Sequence, residues 1–129
     1  MKVSIVITTY KHLEDCLKPC LESIIKYTDL TNIEVVVVCN GDGNTKSKQY
    51  VESLGEHFRV LFFEEGLGFT RATNIGVKES TGDIIILMNN DCLLLPQEKN
   101  TWIKMLCDPT LTLLDMFSNI FLLFYIFIF

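Results

Sequence analysis

The chain has 129 residues, 49% of them hydrophobic, and a formal net charge of -5, which suits one domain with a real core. The acidic balance and the lack of any run of basic residues exclude a nucleic-acid-binding surface. The five cysteines show no C-x-x-C spacing, so we expect reduced thiols in a cytosolic protein.

The hydrophobic pattern predicts strands that alternate with helices. Residues 3–9 are mostly β-branched and predict a buried first strand. Apolar residues then recur at offsets of three and four over residues 13–25, which is typical of a helix, and Pro19 predicts that this helix kinks or begins near it. Cys16 and Cys20 lie on its apolar face. We expect them to be small core residues, with a metal-binding pair as the alternative.

Three further strands are predicted over residues 33–39, 58–63 and 84–88, with helices over residues 45–54, 67–80 and 97–107. This alternation predicts right-handed βαβ crossovers, a mainly parallel sheet and a Rossmann-like, three-layer α/β/α fold. Gly76 lies inside a predicted helix, where it costs about 1 kcal/mol relative to alanine. We expect close packing of that helix against a strand to be the reason for it.

Polar residues follow three of these strands, at residues 8–11, 40–44 and 89–91. The carboxyl ends of parallel strands share one edge of a sheet, where ligands bind in such folds. Asp91, flanked by Asn89 and Asn90, suits a hard cation such as Mg²⁺ or Mn²⁺ that also takes phosphate oxygens. The alternative is an ordinary turn, since these residue types also favour turns.

Arg71 lies near the amino end of the predicted helix over residues 67–80, beside backbone N–H groups that favour an anion. The alternative is a solvated arginine. Together, the polar loops, the glycine-rich helix start and the acid outline a nucleotide-phosphate site.

Four signatures in order carry a family resemblance: residues 3–10 (VSIVITTY), residues 34–41, residues 66–69 with Asn74 and Gly76, and residues 87–91 (LMNND). With them, residues 2–109 resemble the amino-terminal half of family 2 glycosyltransferases of the GT-A fold. The resemblance implies a nucleotide-sugar-binding domain over residues 1–109.

The resemblance also implies residue roles. Asp91 would be the acid that binds Mg²⁺ or Mn²⁺, and Asn89 would help through the ribose or a metal-bound water. Thr8 and Tyr10 would line the nucleoside pocket. Arg71 would meet the base or the diphosphate.

Two departures from the family pattern bear on these roles. Cys39 stands where the family often has an aspartate that holds the base, and a thiol is a poor hydrogen-bond partner. Base recognition would then fall to Asn40 or Asp42. The family's inverting reaction also needs a carboxylate base beyond the metal motif. None of the acids after Asp91 lies in a base-like motif, so no general base is identified.

Residues 110–129 form a separate apolar segment, in which residues 111–129 carry one charge, Asp115. One interpretation is a tail anchor or interfacial segment at the cytoplasmic membrane face, because the length just reaches a membrane span of about 20 residues. A second is a hydrophobic helix packed on the domain. A third is out-of-frame sequence that follows a truncation.

The expected function is glycosyl transfer from an NDP-sugar to a hydroxyl of a sugar, lipid-linked or protein acceptor, with a divalent ion as Lewis acid for the leaving diphosphate. One alternative is a truncated, non-catalytic module that binds the nucleotide-sugar. Another is a membrane-tethered fragment that completes a site with another chain.

Overall fold

The computed structural model describes residues 1–41 and 45–110, and the backbone of residues 125–127. Its helices and strands follow in chain order: β1 (Val3–Thr9), a π-helical turn (Leu13–Leu17), α1 (Lys18–Tyr27), β2 (Ile33–Asn40), α2 (Lys46–Glu52), β3 (Phe58–Phe63), α3 (Phe69–Glu79), β4 (Ile84–Asn89), α4 (Thr101–Leu106) and β5 (Tyr125–Phe127).

These strands form one sheet in the order β3-β2-β1-β4-β5. The first four are parallel, and β5 runs antiparallel to β4. In this register Thr8 lies opposite Val38 on one side and Asn89 on the other. The mainly parallel sheet predicted from the sequence is therefore confirmed, with β1 at its centre.

The sheet is covered on both faces, as the alternation of side chains along β1 requires. Ile5 and Ile7 join the larger core with apolar residues of α1, α2 and α4. Val6 points the other way, into a smaller cluster that includes Ala72 of α3. This arrangement confirms the three-layer α/β/α prediction.

Gly76 lies where α3 packs closely against the sheet. A Cβ atom at this position would lie 2.6 Å from Cγ1 of Val6 and 2.9 Å from Cγ2 of Val38. Real Cβ atoms do not approach other atoms so closely. The predicted packing of this helix against a strand is confirmed, and β1 and β2 supply the contact.

Two helices begin several residues after their predicted starts. The segment predicted as one helix from residue 13 opens with the π-helical turn, and α1 begins at Lys18 with Pro19 in its first turn, where proline is tolerated. The last helix begins at Thr101 instead of residue 97. Asn100 has a left-handed φ of 70°, so it cannot continue an α-helix.

A polar cluster joins three strands at the amino edge of the sheet. Ser4 Oγ and the backbone N–H of Thr81 each donate a hydrogen bond of 2.6 Å to Oε1 of Glu34. Lys2 Nζ lies 3.5 Å from the other carboxylate oxygen. The carboxylate thus ties β2 to β1 and to the segment that enters β4.

Asp42 and most of the predicted apolar tail, residues 111–124 and 128–129, lie outside the described residues. The three interpretations of the tail therefore stay predictions. In the part of the chain that the structure describes, no helix combines the length and the apolar character needed to cross a membrane.

Candidate functional site

A cavity of about 590 Å³ opens at the carboxyl edge of the parallel strands. Five of the residues singled out from the sequence line it: Thr8, Tyr10, Asn40, Asn89 and Asp91. They come from the ends of β1, β2 and β4, so the three polar loops do share one edge. The cavity is also lined by His12, Asp15, Cys16, Phe69 and Asn90.

Hydrogen bonds fix the two central walls of this cavity. Thr8 Oγ1 and Thr73 Oγ1 share a hydrogen bond of 3.0 Å, which fastens the end of β1 to α3. Asn90 Nδ2 donates a hydrogen bond of 3.0 Å to Thr9 Oγ1, which fastens the turn after β4 to β1. Asn89 and Asp91, on either side of Asn90, are exposed. Their polar groups are therefore accessible to a ligand in the cavity.

Two exposed aromatic rings border the cavity. Tyr10 is 52% exposed and Phe69 is 63% exposed, and both rank among the large hydrophobic side chains that folding leaves outside the core. Aromatic rings in such positions offer flat surfaces on which a planar ligand can stack. The arrangement suits a ligand with a ring at one end.

The end of β2 packs tightly against the loop before α3. Gly41 has a φ of 72°, and a Cβ atom there would lie 2.5 Å from the Cα atom of Gly66, so glycine is required. Beside it, Asn40 is 8% exposed, and its Oδ1 accepts a hydrogen bond of 2.8 Å from the backbone N–H of Leu67. These contacts hold the glycine-rich loop next to the cavity.

Two candidate residues are not brought to this cavity, and a third lies outside the described residues. Cys39 is fully buried in the larger core, so its side chain lies beneath the sheet edge. Arg71 is exposed in the first turns of α3 and lines a neighbouring cavity of about 540 Å³, which Phe69 also borders. Asp42 lies outside the described residues. At the end of β2, the described residue that reaches the cavity is Asn40.

The oxygen-rich groups at the end of β4 fit a hard divalent cation. Asp91 supplies a carboxylate, and Asn89 and Asn90, which carry carboxamides, line the same cavity. Mg²⁺ and Mn²⁺ prefer carboxylate, carbonyl and water oxygens. The donor set is therefore compatible with the predicted ion.

The sequence pattern does not reveal the contribution of the π-helical turn. It placed both Cys16 and Cys20 in the core, and Cys20 is indeed fully buried; burial raises the pKa of its thiol to about 12. Cys16 is instead half-buried at the cavity, together with His12 and Asp15. The spacing of these residues, three and four positions from His12, was the available signal.

The chain is similar to known glycosyltransferases. The family model described as "Glycosyl transferase family 2" matches residues 4–116. Glycosyltransferase GlyA from Streptococcus pneumoniae serotype 4 is 31% identical over 91 residues, which cover 70% of this chain and 13% of that protein. The chain spans between 10% and 35% of the length of the curated relatives that it matches.

Solved structures show the same fold. The S. aureus TarS 1-349 structure in complex with UDP-GlcNAc superposes with a TM-score of 0.66 at 25% identity, over 81% of this chain and 30% of that one. The mannosyltransferase PcManGT from Pyrobaculum calidifontis, in complex with GDP-Man and Mn²⁺, gives a TM-score of 0.65 at 24% identity, over 84% of this chain and 33% of that one. Because this family model matches most of the length of the chain, the chain belongs to glycosyl transferase family 2.

Proposed function

We propose that the cavity at the carboxyl edge binds an NDP-sugar together with Mg²⁺ or Mn²⁺, as the donor half of a transferase that acts on a hydroxyl acceptor. The observation that carries the proposal is the convergence of Thr8, Tyr10, Asn40, Asn89 and Asp91 on one cavity. It is supported by family membership and by similar structures that hold UDP-GlcNAc or GDP-Man with Mn²⁺.

In this proposal the nucleoside lies between the ends of β1 and β2. The ring of Tyr10 offers a stacking surface for the base. The Thr8 hydroxyl and the Asn40 amide nitrogen offer hydrogen bonds to the base or ribose. Because Asn40 Oδ1 already accepts the Leu67 N–H, its nitrogen is the atom assigned to the ligand.

The diphosphate lies toward the end of β4. Asp91 holds the divalent ion, and Asn89 contributes through the ribose or through a water on the ion. When bound, the ion supplies positive charge that offsets the negative charge of the leaving diphosphate. The aromatic walls and the hydrogen-bonded ends of β1 and β4 orient the donor in the cavity.

A narrower function, a module that binds the donor without transfer, is the second candidate. Within the described residues, two carboxylates line the cavity, Asp15 and Asp91. Asp91 is assigned to the ion, and Asp15 lies 2.8 Å from His12, so neither is placed as a base for an acceptor hydroxyl. Binding of the donor is therefore the part of the reaction that these residues can perform.

Calorimetric titration with UDP and GDP, in the presence and absence of Mn²⁺, tests the proposal. We expect Asp91→Ala to abolish the Mn²⁺-dependent part of binding. Asp83→Ala is the matched control, because Asp83 precedes β4 at the opposite edge, where its Oδ2 accepts a hydrogen bond of 2.8 Å from the Lys2 N–H. Equal losses in both variants would reject the assignment.

Transfer is measured separately from binding. The chain is incubated with UDP- and GDP-sugars and mixed hydroxyl acceptors, and products are identified by mass spectrometry. An acceptor product that disappears in Asp91→Ala identifies a transferase. Binding without product identifies the narrower donor-binding module.

A further inference from the structure

Three metal-ligating side chains converge at the cavity. His12, Asp15 and Cys16 each offer one ligand atom, and these atoms all lie within 4.8 Å of one another. His12 Nδ1 and Asp15 Oδ2 are already 2.8 Å apart. An imidazole, a carboxylate and a thiol at such distances can share one ion after rotation of the side chains.

The backbone brings these residues together. His12 has a left-handed conformation, with a φ of 57°, and it precedes the π-helical turn. The backbone N–H groups of Cys16 and Leu17 both donate to the carbonyl of His12, at 3.1 and 3.0 Å. This wide turn places positions three and four residues after His12 beside its side chain, and turns of this kind are frequent at functional sites.

The ligand chemistry differs from that at Asp91. Nitrogen and sulfur ligands favour borderline and soft ions such as Zn²⁺ and Co²⁺, whereas Mg²⁺ prefers oxygen alone. The side chains of His12 and Asp15 are 62% and 66% exposed, so an ion can reach them directly from solvent.

The local charge also favours a cation. Burial, followed by the negative charges of Asp15 and Asp91, raises the pKa of the Cys16 thiol. The two carboxylates disfavour a thiolate that has no cation beside it, and they attract a divalent ion.

We propose that His12, Asp15 and Cys16 form a binding site for a zinc-class divalent ion at the rim of the cavity, separate from the oxygen site at Asp91. Cys16 binds as the thiolate and releases its proton to solvent, and His12 binds as the neutral imidazole. Three protein ligands leave the fourth position of a tetrahedral ion open to water. The proposal does not depend on binding of an NDP-sugar.

Cobalt titration of the full chain, reduced and free of metal, tests the site. We expect Co²⁺ to produce a thiolate-to-cobalt charge-transfer band that Zn²⁺ abolishes and Mg²⁺ leaves unchanged. Cys16→Ser should remove the band. His12→Ala should weaken Co²⁺ binding by at least about tenfold, because loss even of a residue that only supports a metal ligand typically weakens binding by about that much. Circular dichroism checks that each variant is folded.

The chain supplies matched controls. Its second histidine, His57, lies near the opposite edge, where its Nδ1 is 3.3 Å from the Ile33 carbonyl oxygen. Cys107 follows α4 and is half-buried. His57→Ala and Cys107→Ser should leave the titration unchanged. In the unmodified chain, Zn²⁺ should shift the His12 ring signals in NMR spectra and leave those of His57 in place.

Two results would overturn the proposal. One is a wild-type chain that gives no charge-transfer band with Co²⁺. The other is a band that persists in Cys16→Ser, which would place the ion on another cysteine. Both results concern the cobalt band and can be obtained even if UDP and GDP do not bind. The zinc-class site and the proposed donor site can therefore be rejected independently of each other.

Discussion

The carboxamide of Asn40 accepts a hydrogen bond of 2.8 Å from the backbone N–H of Leu67, across the junction between β2 and the loop that starts α3. One side chain thus joins the loop to the sheet with its oxygen, and the same residue lines the cavity. The proposal assigns the amide nitrogen to the ligand, and substitution can separate this proposed role from the loop contact.

Asn40→Asp should retain the loop contact and lose a ligand contact, because a carboxylate accepts hydrogen bonds and donates none. We expect UDP or GDP binding to weaken by about 0.5–1.5 kcal/mol, the net value of one neutral hydrogen bond. Asn40→Ala removes both contacts and should also lower the free energy of unfolding by about 1–3 kcal/mol. Calorimetry and urea denaturation measure the two effects. Unchanged nucleotide binding in Asn40→Asp would limit Asn40 to the loop.

Arg71→Ala should weaken nucleotide binding by about 1.5–3 kcal/mol, the range for hydrogen bonds to charged groups. The reason is its position in the first turns of α3, on a cavity that shares Phe69 with the candidate site. Lys78→Ala is the control, since Lys78 lines the same neighbouring cavity near the other end of α3. Titration with UDP and GDP compares the two variants. A change within error for Arg71→Ala would make it an ordinary surface arginine.

Gly76→Ala should destabilise the fold although alanine favours helices. The gain in helix propensity is about 1 kcal/mol, whereas overpacking a core costs about 1–3 kcal/mol, and the new methyl group would meet Val6 and Val38. We expect a net loss of roughly 1 kcal/mol in the free energy of unfolding. Asn74→Ala, at an exposed position of the same helix, should stabilise it slightly. Stabilisation by Gly76→Ala in urea denaturation would contradict the packing argument.

Glu34 should make stability depend on pH in the acid range. Burial alone raises the pKa of its carboxyl, but hydrogen bonds from Ser4 and Thr81, with the charge of Lys2, outweigh burial and lower the pKa below its ordinary value. A carboxyl whose pKa is lower in the folded state than in the unfolded state stabilises the fold when the pH is above the unfolded-state pKa. This contribution is lost as the pH falls through the folded-state pKa.

The check is urea denaturation of the wild type and Glu34→Gln from neutral pH to below pH 4. The wild type should be the more stable near neutral pH, and the difference should shrink as the pH falls through this range. A difference that stays constant with pH would show that the hydrogen bonds of Glu34, and not its charge, carry the effect.

The sequence predicted those parts of the fold that local residue preferences determine. Val3–Thr9 and Phe58–Phe63 are strands with the predicted bounds, because their β-branched and aromatic residues favour extended backbone on their own. The meeting of the loops at one edge could be predicted because parallel strands place their carboxyl ends at the same edge. The right-handed crossovers between parallel strands could also be predicted. These rules do not determine which strands pair with each other, so the strand order in the sheet is known from the structure alone.

The π-helical turn could not be predicted from residue type. The apolar spacing after residue 12 fits an ordinary α-helical face, and the left-handed conformations of Lys11 and His12 have no glycine to signal them. These conformations redirect the first turn, which brings Cys16 to the cavity while Cys20, in α1, stays in the core. At the end of β2, the pleat sends the Cys39 side chain into the core, and Asn40 is the residue that lines the cavity.

The central position of β1 affects how the protein is made. Its two neighbours in the sheet are β2 and β4. Val3 therefore pairs with Ile33, which follows soon in the sequence, and with Ile84, which follows much later. During synthesis, the β4-facing edge of this apolar strand stays unpaired until residues 84–89 have left the ribosome. An unpaired hydrophobic edge is a template for association with other chains. The nascent chain therefore carries an aggregation hazard in the strand that later forms one wall of the site.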